Sequence, residues 1–382
     1  MSSVASYSRS AKTEKYIDSS HPKDNSIATL RLWYCSCQKI RKDSKLDLIT
    51  CTNPRFSDLR DQLLQESDAS PIYSSSFSEY YEEYFQATPS KKLELLVLNE
   101  ETPVLLFLLH EFASNALESR TFSYFGLPGL LALNRKSGDE IHALAIDQIF
   151  SHLREIGFLN SLRNVPFEVI FPDLSARSSK IIDKFASESS SAFVFFERVI
   201  DLRKSKSELF DDLSKSVKSA IKNEVLGEDT FNLVTHESPL EVRENAIREL
   251  KELHFLSSGR ITRSEKTWEL QESQLEKGSL VIGMGYQQER IVHGAMYMVA
   301  NLSAFYAVSA NSKEVIGTSI AHPYIFESIL ALKSLGIKKL YMGRQYEELT
   351  RELTEKEKNI SKFKSFFGGE LILGLGLSYA KE

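Results

Sequence analysis

Lys358-Asn359-Ile360-Ser361-Lys362-Phe363-Lys364-Ser365-Phe366-Phe367-Gly368-Gly369-Glu370 closes the stretch, Ser279 to Glu370, whose reading decides the fold of this chain. Three short apolar runs open that stretch. Leu280 to Met284 and Ile291 to Val299 lie on either side of the polar turn Gln287-Gln288-Glu289-Arg290, and Ala304 to Ser309 follows. Glu314 to Leu335 has the composition of a long helix, and Gly336 stands where a helix ends cheaply in the left-handed conformation. Ile337 to Met342 is a fourth apolar run, leading into Gly343 and Arg344. Strand, strand, strand, helix, strand is the order of a mixed sheet with one crossover helix.

The same order occurs earlier in the chain. Leu93 to Leu98 and Val104 to Leu109 are continuous apolar runs, bounded by Asn99-Glu100-Glu101-Thr102-Pro103, and read as adjacent buried strands. Thr121 to Phe125 reads as the third strand, ended by the turn residues Gly126-Leu127-Pro128-Gly129. Asp139 to Ile156 is an amphipathic helix with Ile141, Leu144, Ile149, Leu153 and Ile156 largely on one side and Gly157 placed to cap it. Pro166 to Phe171 is the following strand. The helix ends Leu153-Arg154-Glu155-Ile156-Gly157 and Leu332-Lys333-Ser334-Leu335-Gly336 look alike. Five elements repeated in order predict an α/β fold (α+β mixed sheets) of two tandem domains related by internal duplication.

The domains divide as a flexible tail over 1–26, an N-terminal domain over 27–190 and a C-terminal domain over 191–382, with the polar Asp173 to Ser191 as the boundary. Thr29 to Cys37 and Leu46 to Cys51 are expected to pair across Arg41-Lys42-Asp43-Ser44, before helices over Ser57 to Gln65 and Phe77 to Phe85. Between the copies lie a strand (Phe193 to Leu202), one helix (Ser207 to Asn223, capped by Ser207 with Glu208) and a strand (Asp229 to Thr235). Two helices, Pro239 to Leu256 and Ser264 to Lys277, follow, and Gly369 to Tyr379 closes the sheet.

With 382 residues, 42% hydrophobic, 26% charged and a formal net charge of -5, the chain has length for two cores and no surface built wholly for nucleic acid. DNA is not an expected partner. The three cysteines, Cys35, Cys37 and Cys51, have no second pair at zinc spacing, which suits reduced thiols and no metal. No apolar run approaches the roughly 18 residues of a membrane span, and the tail lacks a signal peptide's apolar region, so the expected location is cytoplasmic.

Phe363-Lys364 is the sharpest chemical signal. A partly desolvated lysine beside aromatics can stabilise negative charge that develops on a substrate. The other reading is an amphipathic helix with Phe363, Phe366 and Phe367 in the core and Lys364 in water. Lys215, Lys218 and Lys222 share one helix face that suits a phosphate, or simply water. Arg260, Arg263 and Lys266 stand at a loop-to-helix junction fit for an anion, or for salt bridges to Glu269 or Glu272. Tyr306, Tyr341 and Arg344 are further candidates for substrate contact. His293 and His322, with no nucleophile at diagnostic spacing, read as structural histidines.

Several pieces together resemble the FemABX group, aminoacyltransferases built from two GNAT-like domains. Pro71-Ile72-Tyr73 with Phe77, Tyr124-Phe125-Gly126-Leu127-Pro128-Gly129, Asp201-Leu202 with Leu213 to Lys222, and Gly336 onward through Phe363-Lys364-Ser365-Phe366-Phe367-Gly368 carry the likeness, over about Pro71 to Leu373. The resemblance implies transfer of an aminoacyl or acyl group onto an amine of a cell-envelope precursor, a peptidoglycan peptide or a surface-polysaccharide amino sugar. It implies aminoacyl-tRNA as donor, no tightly bound cofactor, and a lipid- or nucleotide-linked acceptor. Phe363 and Lys364 would lie beside the transferred group and Arg260 or Arg263 would hold the acceptor, with Lys218 and Lys222 on phosphates.

Two alternatives remain. One is an acyl-CoA- or carrier-protein-dependent N-acyltransferase, against which Asn311 to Thr318 has one glycine and an acidic residue where a pyrophosphate would rest. The other is a non-catalytic binding scaffold of the same fold.

Overall fold

A computed structural model describes residues 46–67, 69–86, 89–114, 119–125, 129–156, 158, 167–171, 183, 191–223, 230–313, 321–347 and 352–379. The tail, the strand expected over Thr29 to Cys37, the Gly126-Leu127-Pro128 turn, the Gly157 cap, nearly all of the boundary and residues 314–320 of the expected helix lie outside them.

The first half runs β1 (Leu46–Thr50), α1 (Phe56–Ser67), a 3-10 turn (Pro71–Tyr73), α2 (Ser75–Phe85), β2 (Lys91–Asn99), β3 (Thr102–Ser114), β4 (Ser119–Ser123), β5 (Gly129–Leu133), α3 (Asp139–Glu155) and β6 (Phe167–Phe171). β7 (Ser191–Asp201), α4 (Lys206–Asp211) and α5 (Lys215–Asn223) lead into the second half. That half runs β8 (Thr230–Val234), α6 (Leu240–Ser258), α7 (Glu265–Glu276), β9 (Leu280–Gln287), β10 (Arg290–Ala300), β11 (Ser303–Asn311), α8 (Ala321–Ser334), β12 (Lys339–Gln345), α9 (Glu355–Ser365) and β13 (Glu370–Tyr379).

The duplication is visible in the strand pairing. β1-β2-β3-β5 and β8-β9-β10-β11 are each antiparallel throughout, and each then adds a parallel neighbour, β6 or β12, reached through a crossover helix. The two copies are parts of one 13-stranded sheet, joined at its middle in the order β6-β13-β7-β12. β13, from the end of the chain, pairs with β6 of the first half, and β7, which follows the first half, pairs with β12 of the second. A strand is thus lent in each direction.

The third strand of the first copy corrects the sequence reading. β4 covers most of Thr121 to Phe125 but pairs only beside β3, off the main path. The strand that precedes the crossover helix is β5, at Gly129–Leu133, buried throughout. A second correction concerns Ser207 to Asn223, which folds as two helices. Ser205, not Ser207, caps the first, in a capping box with Glu208. The chain breaks at Ser214, whose N–H is taken by the carbonyl of Phe366.

Burial follows from the apolar runs. Leu96, Leu98, Leu106 and Leu108 pack with Leu63 and Phe77 on one face of the sheet, while Leu95, Val97, Leu105 and Phe107 pack with Ile146, Ile149 and Leu153 of α3 on the other. In the second half Ile282, Met284, Met296 and Met298 meet Leu250 and Trp268 from α6 and α7, in the same continuous core as α1 and α2. Val281, Ala295 and Tyr297 face Ile325, Ile329 and Leu332 of α8. The paired-helix faces of the two copies therefore meet, and the crossover helices lie on the opposite faces. Polar contacts cross the same seam: Gln274 Nε2 donates to the Ser76 carbonyl at 2.7 Å, and Lys266 pairs with Glu83 at 2.9 Å.

At the middle of the sheet, β13 packs glycine under aromatics. The rings of Phe195 and Phe193 lie over Gly374 and Gly376, and an added Cβ would come within 2.0 Å of a ring carbon at either position. Gly376→Val is expected to force Phe193 out and destabilise the fold by about 2 kcal/mol, the usual order for overpacking. Denaturant unfolding of the purified variant reads this. No described helix is long and apolar enough to cross a membrane.

Candidate functional site

The end of α9 places Phe363 and Lys364 on either side of the second half's sheet. Thr354 and Glu357 form a capping box that starts this helix, and Gln345 of β12 donates to the Ser361 carbonyl at 3.3 Å, fastening it to the sheet. Phe363 turns toward the α8 side, its ring 6.1 Å from His322, 6.4 Å from Tyr306 and 5.3 Å from Phe367. Both phenylalanines belong with the buried group under α8.

Lys364 goes the other way. Its Nζ donates to the carbonyl of Arg344 at 2.8 Å. It reaches that carbonyl because Gly343 has no side chain: a Cβ there would lie 3.3 Å from Lys364 Nζ and 3.3 Å from Phe305 Cε2. Phe305 packs edge-on against Phe77 of α2, with ring centroids 6.0 Å apart. The ammonium thus sits at the strand irregularity between Tyr341 and Gly343, near the contact between the two copies. Burial draws its pKa down to about 8, against the charge of Glu197, which favours the cation, while Arg198 lowers it further. Gly343 has a φ of +79°, a region that costs an L side chain about 1 kcal/mol or more. Gly343→Ala should therefore shift the amine from its anchor, read as a changed midpoint when Lys364 is labelled by acetic anhydride across pH.

Glu197, which sequence reasoning did not single out, stands opposite Arg344 in the antiparallel pair of β7 and β12. It is 8% exposed, and burial raises its pKa to about 7 although the charge of Lys364 opposes the rise. Its signal in the sequence is one acidic residue inside the apolar run Phe193-Val194-Phe195-Phe196-Glu197-Arg198-Val199-Ile200. Arg198 turns to the carbonyls of Gly368 and Gly369, at 2.8 and 3.3 Å, and to Gln345 Oε1 at 3.1 Å.

The other candidate residues are placed as follows. Arg263 lies in an aromatic cage, its guanidinium 5.2 Å from the Tyr84 ring centre and 5.6 Å from that of Trp268. It donates to Tyr80 Oη at 3.1 Å and to His254 Nε2. Burial, with Arg263 beside it, pulls His254 down to about 4, so the imidazole stays a neutral acceptor. Arg260 is exposed just before α7. Lys218 donates to the Asp211 carbonyl at 2.7 Å, and Lys222 is exposed, its Nζ 5.8 Å from the Phe210 ring centre. Arg344 is exposed over Tyr346, 5.7 Å from the ring centre, and its backbone rather than its guanidinium meets Lys364.

Tyr306 lies tilted against Tyr297, with ring centroids 5.7 Å apart, and burial pushes its hydroxyl up to about 12. Tyr341 is buried in β12. His293 is fully buried, its Nδ1 donating to Asn311 Oδ1 at 2.7 Å, and burial pulls it down to about 4. Phe363 and Tyr306 are thus brought together on the α8 side of α9 and Lys364 lies on the other, while Arg263 and Arg260 stand at the start of α7 and Lys218 and Lys222 on α5.

The arrangement is that of two GNAT-like folds in tandem. Among solved structures it is similar to FemX, at a TM-score of 0.58 and 12% identity, covering 86% of this chain and 96% of that one. L-PGS from Bacillus licheniformis matches at a TM-score of 0.50 and 12% identity, over 86% of this chain and 92% of that one. The C-terminal domain of a protein from Agrobacterium fabrum, described as a "putative lysylphosphatidylglycerol synthetase", matches at a TM-score of 0.51 and 10% identity, over 84% of this chain and 91% of that one. No protein-family model and no curated protein sequence matches the chain.

Proposed function

We propose that this chain transfers an acyl or aminoacyl group from an activated ester or thioester to an amine of a cell-envelope precursor, a peptidoglycan peptide or a surface amino sugar. The observation that carries the reading is the Lys364 ammonium, half-buried and held at Gly343 beside the aromatic contact between the two copies. The donor's carbonyl is already activated, so alignment and charge stabilisation suffice and no covalent enzyme intermediate is required. A cation in a water-poor setting stabilises the oxyanion that forms when the amine attacks. Phe363 fixes the helix turn that presents Lys364. The donor in this reading is either aminoacyl-tRNA or acyl-CoA, each of which carries a carbonyl already activated for attack.

In this proposal the catalytic half is the C-terminal domain, 191–382, the N-terminal domain over 27–190 is a scaffold, and the reaction is cytoplasmic. Arg260, exposed before α7, would meet an anionic acceptor, with Arg263 holding that corner together, and Lys218, Lys222 and Arg344 would offer outlying cations to phosphate. Tyr306 shapes the floor behind Phe363. The test is incubation of the purified chain with isotope-labelled acetyl-CoA or aminoacyl-tRNA and a panel of muropeptides and amino sugars, read by mass spectrometry. A mass gain on an amine is the expected result. Binding of donors without transfer to any amine would favour the scaffold reading instead.

A further inference from the structure

A carboxylate buried without a partner is costly, and Glu197 is one. It lies 8% exposed in β7, at the middle of the sheet, and has no hydrogen bond or ion pair among the described residues. Desolvation on this scale is unfavourable by several kcal/mol unless the group is neutralised or used. Its surroundings supply one cation suited to use. α9 brings Lys364, whose Nζ rests on the carbonyl of Arg344, the residue directly opposite Glu197. Opposed residues of neighbouring strands are about 5 Å apart, so the ammonium lies within about two strand spacings of the carboxyl-bearing residue. β12 adds the exposed Arg344, β13 sets Ile372 opposite, and Arg198 next in the chain is committed to the carbonyls of Gly368 and Gly369.

We propose that Glu197 is the proton acceptor of the transfer, working beside Lys364. The inference rests on the transfer reaction proposed above. As the amine nitrogen bonds to the carbonyl carbon, its proton passes to the Glu197 carboxylate while Lys364 faces the oxyanion. As the tetrahedral intermediate collapses and the bond to the leaving oxygen or sulfur breaks, Glu197 returns the proton to that atom. The carboxyl ends as it began, and no further reactant is needed. Burial supports the assignment, because a carboxylate poised near 7 is a far better base than one in water, yet is still ionised for part of the time at neutral pH. With Lys364 required as a cation, transfer should follow a bell-shaped pH profile governed by the pair.

Two readouts test this in the full chain. The first is competitive labelling of Lys364 by acetic anhydride across pH, read by mass spectrometry, in the wild type and in Glu197→Gln. Loss of the carboxylate removes support for the cation, so the labelling midpoint should fall and the rate at pH 7 should rise roughly threefold or more. The second is the transfer assay. Glu197→Gln should lose roughly 100-fold in kcat, the order expected for a general base, and its acid limb should disappear. Glu197→Gly should regain part of the rate when formate is added, which a purely structural residue would not allow. A wild type that transfers while Glu197→Gln keeps its kcat, or leaves the Lys364 midpoint unmoved, overturns the role of Glu197 alone. A wild type that transfers from neither donor overturns the reaction itself, and the role with it.

Discussion

Lys364→Met is expected to lower transfer by roughly 100- to 1000-fold in kcat, the range seen when one oxyanion donor is removed from an acyl-transfer site. Methionine keeps the length and apolar stem of the side chain, so the helix end and the contacts of Phe363 should persist and the variant should fold. The loss should fall on kcat more than on KM, since the interaction matters most when charge develops on the carbonyl oxygen. The pH dependence gives a second handle. Burial holds Lys364 at about 8, so its cation is present at neutral pH and is lost as pH rises through that value. Wild-type kcat should fall on the alkaline side accordingly, and the residual rate of Lys364→Met should lack that limb. Lys364→Arg should recover little, because a planar fork cannot enter the space left by Gly343.

Arg60→Met is expected to cost about 3 kcal/mol of stability at neutral pH, as the loss of one partner from a buried pair does. Arg60 is 3% exposed in α1, and three groups of the first copy converge on it. Its Nε donates to the Tyr73 carbonyl at 2.7 Å, and Nη2 donates to Tyr124 Oη at 3.2 Å. Nη1 faces Glu94 Oε2 at 3.4 Å, and His110 Nε2 meets the other oxygen of that carboxylate at 2.9 Å. Tyr124 passes the chain on to Ser78 Oγ at 3.1 Å. Burial alone would raise the Glu94 pKa, but His110 and Arg60 outweigh it, and the net shift is downward. A carboxylate with a depressed pKa contributes stability above its unfolded value and loses it as pH falls. The penalty of Arg60→Met should therefore be largest at pH 7 and smaller in acid, at about pH 3, because it shrinks as pH falls through the lowered Glu94 value. Denaturant unfolding at both pH values would show it. A penalty equal at both would mean that lost packing, not charge, sets the cost.

What the sequence made legible follows from how local each signal is. β2, β3, β9 and β10 are apolar on both faces, and a strand covered on both faces reads as a continuous run whatever it packs against. The order of the duplicated elements was legible for the same reason. β5 was missed because Gly129-Leu130-Leu131-Ala132-Leu133 comes directly after turn residues, while Thr121 to Phe125 alternates convincingly. The break between α4 and α5 contains neither proline nor glycine. Its cause is a hydrogen bond from Ser214 to a carbonyl far along the chain.

The exchange of β7 and β13 between the copies had no local signature at all. The same holds for much of the candidate site. Phe363-Lys364 was visible as a motif, but which way the lysine turns depends on Gly343 and Phe305. Glu197 acquires its character only from residues more than a hundred positions away. Arg263 looked like an anion site because arginine at a helix start suits one. The structure places Tyr84, Trp268 and Tyr80 around it, and none of these adjoins it in the sequence.

A crystal structure with a stable amide analogue of an aminoacyl ester bound tests most directly whether acyl transfer takes place at Lys364 beside Gly343. The analogue's carbonyl oxygen is expected within hydrogen-bond distance of Lys364 Nζ, with the amine site open toward Glu197. An analogue seated elsewhere, with Lys364 still bound only to the Arg344 carbonyl and turned from the ligand, would contradict it.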